Sequence, residues 1–190
     1  MSGTSTKYFG STGLGSKIFI TSFAGDDTLP SAITTGDIIT DIENFSGGDY
    51  SMEFDSKKTL DDGGFTRYGY AGAEIDQIEA TILREFGTVY TKNGTDAYSK
   101  LVDLRDKCVM QEDGALVNVV IAVARGNGLY EGKCYPTCLI ADVKDGDKTP
   151  DSMQEYSLSI KAAGKYHRCA ITHVPAQGTT AESWTISALS

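Results

Sequence analysis

A chain of 190 residues with 26 acidic and 17 basic side chains, 40% hydrophobic residues, 21 glycines and only 4 prolines is long enough for one packed domain with an appended arm or tail. Its 23% of charged residues is ordinary for a soluble globular protein and excludes a wholly disordered chain, a coiled coil and a collagen. The net charge of -9 repels phosphate, which disfavours tight nucleic-acid binding; it would suit a surface past which DNA slides without sticking, although solubility alone is the commoner reason for an acidic balance.

The start, MSGTSTKYFGSTGLGS, has no basic-then-apolar signal region, and no run approaches the roughly 18 apolar residues of a membrane span, so the chain is expected to stay where it is made or to leave by a route that does not read such signals. Residues 1–15, rich in Gly, Ser and Thr and without apolar periodicity, read as an N-terminal arm. Lys17 to Ala24 is the first strand, β-branched and aromatic. After a turn at Gly25 to Pro30, Ile33 to Phe45 reads as one strand, with Ile38, Thr40 and Ile42 on one face and Ile39, Asp41 and Glu43 on the other. Residues 46–73 are glycine-rich, acidic and aromatic with almost no aliphatic side chains, a connection long enough to be either disordered or functional. The alternation Tyr50, Met52, Phe54 and the stretch Phe65, Arg67, Gly69 predict an extended hairpin whose aromatics cannot be buried by the hairpin itself.

Glu74 to Phe86 fits both periods: Ile75, Ile78, Ile82 and Phe86 make a helical stripe, while Ile78, Ala80 and Ile82 alternate as in a strand. A helix follows, capped by Asn93 or Thr95 with Asp96 in its first turn; Tyr98, Leu101, Val102 and Arg105 share a face, flanked by Leu104 and Cys108, and Lys107 suits its C-terminal end. Leu116 to Ala124 is a Val-rich strand expected to be buried on both faces, closed by a turn at Gly126, Asn127 and Gly128. Leu129 to Val143 and Gln154 to Ala162 are the other major strands; in the second, Tyr156, Leu158, Ile160 and Ala162 alternate strictly with polar residues. A weaker strand at Tyr166 to Thr172 precedes a polar tail whose Trp184 is expected to dock. The fold class is therefore mainly β, a sandwich or barrel carrying one flanking α-helix.

The chemistry is sparse. Asp142, Asp145, Asp147 and Asp151 lack the central Gly and closing Glu of a calcium loop and read as a solvated turn. Neither a nucleophile elbow, a phosphate loop nor a zinc-protease motif occurs, and the two histidines, His167 and His173, sit in a short strand without a nucleophile, so neither catalysis nor a cofactor is expected. Cys108, Cys134, Cys138 and Cys169 are too few and too scattered for a disulfide scaffold; the spacing of Cys134 and Cys138 matches neither a redox nor a zinc motif, and ordinary half-buried thiols are the expectation, with disulfide pairing the alternative.

The order of elements carries a resemblance: the strand ITDIENF, a long Gly-rich acidic excursion, the strand EIDQIEATILREF, the helix DAYSKLVDLRDKC, then a strand pair ending in DKTPDSMQEYSLSIKAAGKY. This resembles the major tail tube proteins of long-tailed phages, which are similar in fold to the tube protein of type VI secretion. The resemblance spans about Lys17 to Tyr166, making residues 16–166 a tube-like domain and 167–190 a C-terminal extension. It implies hexameric rings that stack into a hollow conduit for genome DNA, in a virion tail made in a host bacterium's cytoplasm. Partners would be further copies of the chain, a tape measure, a terminator, a baseplate or tip and, in a contractile tail, a sheath. It further implies that the hairpin 50–72 reaches the neighbouring ring through Tyr50, Met52, Phe54, Phe65, Arg67, Tyr68 and Tyr70, that Asp41, Glu43, Asp76 and Glu79 line the bore, and that Glu74 to Phe86 is a strand. Cysteine cross-links between subunits would stabilise such rings after release from a reducing cytoplasm. The alternatives are a virion decoration protein, a pilus-like subunit or a carbohydrate-binding β-sandwich.

Overall fold

A computed structural model describes residues 15–30, 33–34, 37–39, 42–58, 66–84, 97–146, 154–177 and 181–189. They form eleven strands and one helix: β1 Lys17–Ser22, β2 Ile38–Ile39, β3 Ile42–Ser46, β4 Tyr50–Lys58, β5 Thr66–Ile75, β6 Ile78–Arg84, α1 Ala97–Met110, β7 Leu116–Gly126, β8 Leu129–Asp145, β9 Gln154–Ala163, β10 His167–Val174 and β11 Ser183–Ala188. Nine strands make one sheet in the order β2-β1-β7-β8-β9-β6-β3, with β10 and β11 attached to β8, while β4 and β5 form a sheet of their own. The fold is thus mainly β with a flanking helix, as expected.

The ends of the main strand order are only three residues apart in the chain, since β2 ends at Ile39 and β3 begins at Ile42. Three residues reach at most about 11 Å, so the sheet must curl until its two edges nearly meet. The expected single strand from Ile33 to Phe45 is therefore divided between opposite edges. Its alternation does not hold: Ile38 packs in one core, whereas Ile39 and Ile42 both pack in the other. Thr40 and Asp41 lie outside the described residues.

The curled sheet encloses the first core. Ile18 and Ile20 of β1, Ile78, Ala80 and Ile82 of β6, Val117, Val119 and Ile121 of β7, and Tyr156, Leu158 and Ile160 of β9 all enter it. The buried set Ile78, Ala80, Ile82 decides for the strand period over the helical one in β6, which extends to Arg84; Ile75 belongs to β5 instead. Helix α1 adds Leu101 and Leu104, with Tyr98 and Val102 partly buried beside them. Burying each leucine contributes about 1.5–3 kcal/mol. The proposed caps Asn93 and Thr95, and Asp96, lie outside the described residues.

A second core occupies the opposite face of β1, β7 and β8, built from Phe19, Ile33, Val120, Ala122, Cys134, Cys169, Ile171 and Trp184. The Val-rich run of β7 is accordingly buried on both sides. The C-terminal segment supplies the cover: β10 pairs with β8 and β11 with β10. Trp184 is 7% exposed and packs edge-on to Phe19 at 5.3 Å between ring centroids. The docking expected of this side chain is internal to the subunit.

Pro136 explains how one strand serves both cores. The 17-residue β8 pairs with β7 along one edge; its other edge pairs with β10 up to Cys134 and with β9 from Thr137. Pro136 falls at the changeover, where a residue without an N–H is tolerated because the ladder is already interrupted. The register against β7 slips there by one residue, from Val119↔Tyr135 to Val117↔Cys138. A slip of one reverses which face each side chain takes. Hence Cys134 lies in the second core and Cys138 in the first, although four residues apart in an unbroken strand they would share a face.

Candidate assembly surface

The hairpin predicted between residues 50 and 72 is present as β4 and β5, hydrogen-bonded to each other and to no other strand among the described residues. Its register sets Tyr50 opposite Ile75, Met52 opposite Ala73, Phe54 opposite Tyr70, Ser56 opposite Tyr68 and Lys57 opposite Arg67, with an irregularity between Glu53 and Phe54. Tyr50 is 40% and Met52 64% exposed, so both present apolar surface that this subunit leaves uncovered. Phe65 lies outside the described residues.

The root of the hairpin is fixed to the body by contacts from distant parts of the chain. Gly48 N–H donates to the Asp76 carbonyl at 3.0 Å and Asp76 N–H to the Asp49 carbonyl at 2.9 Å, closing the two strands at their base. The buried Tyr135 hydroxyl of β8 donates to the Gly48 carbonyl at 2.7 Å. Gly47 and Gly48 have φ of +84° and +78°; a side chain at Gly47 would strike the Gln77 carbonyl, and one at Gly48 the Tyr135 hydroxyl. Both positions therefore require glycine twice over, for backbone conformation and for space.

Tyr166, between β9 and β10, stacks on Tyr50 with centroids 4.8 Å apart and rings 22° from parallel, and its N–H donates to the Tyr50 hydroxyl at 3.1 Å. The same ring leans on Tyr135 at 5.8 Å and carries the Lys133 ammonium 4.6 Å above its centroid. Lys133 also forms an ion pair with Asp49. Burial, with Asp49 nearby, pushes the Tyr135 phenol well above its ordinary range, which keeps the proton that bonds Gly48 in place. Sequence reasoning missed Lys133, Tyr135 and Tyr166, which lie 84, 87 and 116 residues from the root residues they hold, Asp49, Gly48 and Tyr50. The only local signal is the Gly47–Gly48 pair.

The carboxylates expected to line a bore divide into two places. Glu79 of β6 is exposed opposite Ser46 of β3 and Ser159 of β9, on the face turned away from the first core. Glu43 is exposed at the irregularity in the β3 and β6 pairing. Asp76 is instead in the turn at the hairpin root, and Asp41 lies outside the described residues. Around Glu79 the outward face is polar, with Thr81 next to it along β6 and Ser157 next to Ser159 along β9.

All four cysteines are free thiols, Cys108 half-buried on α1 and the other three at 0%, 1% and 0% exposure for Cys134, Cys138 and Cys169. Burial pushes Cys134 and Cys138 up to about 12 and Cys169 up to about 11, so these groups stay protonated near neutrality. The histidines are engaged separately: His167 meets Asp27 at 2.8 Å, and His173 meets Glu182 at 2.9 Å while stacking on Trp184 at 3.8 Å. Among the described residues no three His, Cys, Asp or Glu converge on a point where a metal would sit.

No protein-family model matches the sequence. No curated protein matches it either. Solved structures do. A chain of the sheath–tube complex of an extracellular contractile injection system, PVC, in its extended state, aligns with TM-score 0.54 and 11% identity over 88% of this chain and 98% of that one. The sheath/tube terminator of the same system aligns with TM-score 0.53 and 9% identity over 81% and 92%. A chain of the anti-feeding prophage baseplate gives 0.53 and 11% over 81% and 91%. At such identities the likeness is one of fold, and it extends over nearly the whole of each neighbour.

Proposed function

We propose that this chain is the major tube subunit of a phage-tail-like particle, a structural protein and not an enzyme. Six copies form a ring and rings stack into a hollow tube through which genome DNA passes without sequence-specific binding. The observation that carries the reading is the β4–β5 hairpin, which stands apart from the main sheet with exposed Tyr50 and Met52 on a root held by Tyr135 and Tyr166. A two-stranded hairpin is marginally stable by itself, so the energy for keeping it extended comes from its root and from whatever surface it meets. A copy of the same chain in the next ring is that surface. Phe54, Phe65, Arg67, Tyr68 and Tyr70 belong to the same contact.

The fold likeness to chains of tube-bearing injection particles supports this assignment. So does the charge: a net -9 and a polar outer face bearing Glu43 and Glu79 repel a phosphate backbone that must move past. Asp41 is the further candidate for that bore-facing set, and Asp76, in the turn at the hairpin root, is a candidate at a separate place. Terminator, tape measure, baseplate and, in a contractile particle, sheath are the remaining partners. Negative-stain microscopy of the purified protein tests the proposal. Rings or hollow tubes are expected as concentration rises; discrete monomers at high concentration would favour a decoration, pilus-like or carbohydrate-binding module instead. Deleting residues 51–72 is expected to abolish tubes while leaving a folded subunit, and full-length tubes from that deletion would refute the role of the hairpin.

A further inference from the structure

We infer that Tyr166 is a positioning residue that sets the direction of the β4–β5 hairpin in the lone subunit, before any neighbour is met; this rests on the assembly role proposed above. Two distant parts of the chain, β8 and the connection between β9 and β10, converge on the root. The ring of Tyr166 stacks on the Tyr50 ring and also meets the Lys133 ammonium, and Lys133 in turn holds Asp49, the residue preceding the hairpin. Its backbone N–H fixes the Tyr50 hydroxyl. Tyr135, packed in the first core, braces both Tyr166 and the Gly48 carbonyl. A hinge needs residues free to change φ and ψ, and here the glycines best suited to that, Gly47 and Gly48, lie directly against Gln77 and Tyr135.

The consequence is for how tightly one subunit takes the next. A segment that must find its bound direction only on contact lowers its effective affinity by the fraction of time it spends elsewhere. A hairpin already aimed by its root avoids that loss. Tyr166 does this with its ring face and backbone, so its hydroxyl is dispensable, and Tyr166→Phe is the conservative control.

The test uses the full chain in two arms. Below the assembly concentration, amide hydrogen exchange is followed in the peptides spanning 47–58 and 66–76. Tyr166→Ala is expected to raise exchange there by about tenfold, equivalent to losing ~1.4 kcal/mol of local protection, while β7 amides exchange as in the wild type. Tyr166→Phe should match the wild type. In the second arm, light scattering above that concentration should show a longer lag before tube growth for Tyr166→Ala and none for Tyr166→Phe. If Tyr166→Ala loosens the whole fold, Lys133→Met replaces it, removing the ammonium that bridges the ring and Asp49, with the same expectations. Unchanged hairpin exchange in a folded variant would overturn the inference. So would an unchanged lag accompanied by faster exchange, since the aim of the hairpin would then be irrelevant to stacking. If the wild type never assembles, the tube reading fails, and the exchange arm still decides whether Tyr166 holds the root.

Discussion

Replacing Trp184 by Ala tests whether the C-terminal pair β10 and β11 completes the subunit's own core. The indole lies 7% exposed against Phe19, Tyr130 and His173, with centroids at 5.3, 5.7 and 3.8 Å. Truncating a buried aromatic of this size costs about 3–5 kcal/mol, the transfer and cavity contributions together. With a urea slope of about 2–3 kcal/mol/M, the unfolding midpoint should fall by about 1–2.5 M. Trp184 is the sole tryptophan, so far-ultraviolet circular dichroism replaces fluorescence as the probe. Among the described residues the buried indole N–H meets no acceptor, which carries a penalty of its own. Trp184→Phe keeps most of the packing and removes that donor, so its loss should be no more than about 1–2 kcal/mol. A midpoint for Trp184→Ala within about 0.3 M of the wild type would refute the reasoning, because β11 would then be an ornament whose removal leaves the second core intact.

Thiol chemistry should follow burial. In the native protein at pH 8, Cys108 is expected to react with a disulfide reagent while Cys134, Cys138 and Cys169 do not, and all four should react in urea. The raised thiols also set a sign: an unfolded cysteine loses its proton near pH 8.5, whereas the folded ones keep theirs until about 11 to 12. Their contribution to stability is thus complete below about pH 8.5 and declines as pH rises toward those folded values, which urea titrations between pH 8 and 11 measure. Asn118, fully buried in β7, accepts from Ala24 N–H at 3.3 Å and donates to the Thr28 carbonyl at 3.2 Å. Asn118→Ala should lower stability by about 1–3 kcal/mol in a thermal or urea melt, through the two backbone groups it leaves unpaired.

Local patterns in the chain carried much of the fold. The alternation of Tyr156, Leu158 and Ile160 and the apolar run of β7 mark strands whose burial depends only on their own period. The helical stripe of Leu101 and Leu104 is legible for the same reason, and the glycine-rich, aliphatic-poor stretch after Ser46 is recognisable as an excursion. What stayed hidden depends on partners far along the chain. Ile39 and Ile42 pack in one core because the chain passes from one sheet edge to the other between them, and no alternation rule anticipates that. The face reversal at Pro136 hid the separation of Cys134 from Cys138. The root of the hairpin is built by Lys133, Tyr135 and Tyr166, none of which has an unusual local context, so the candidate surface was legible in its projecting strands and not in its support.

The divided edge of β8 has a mechanical consequence. Among the described residues, β10 and β11 are held to the main sheet by a single ladder, β10 against β8 from Leu129 to Cys134, and by the second core, so this ladder is the line along which they would part. Opened from its Leu129 end, that ladder would unzip toward Cys134, one residue short of the tyrosine whose hydroxyl holds Gly48, so loss of the C-terminal strands would bring solvent to the support of the hairpin.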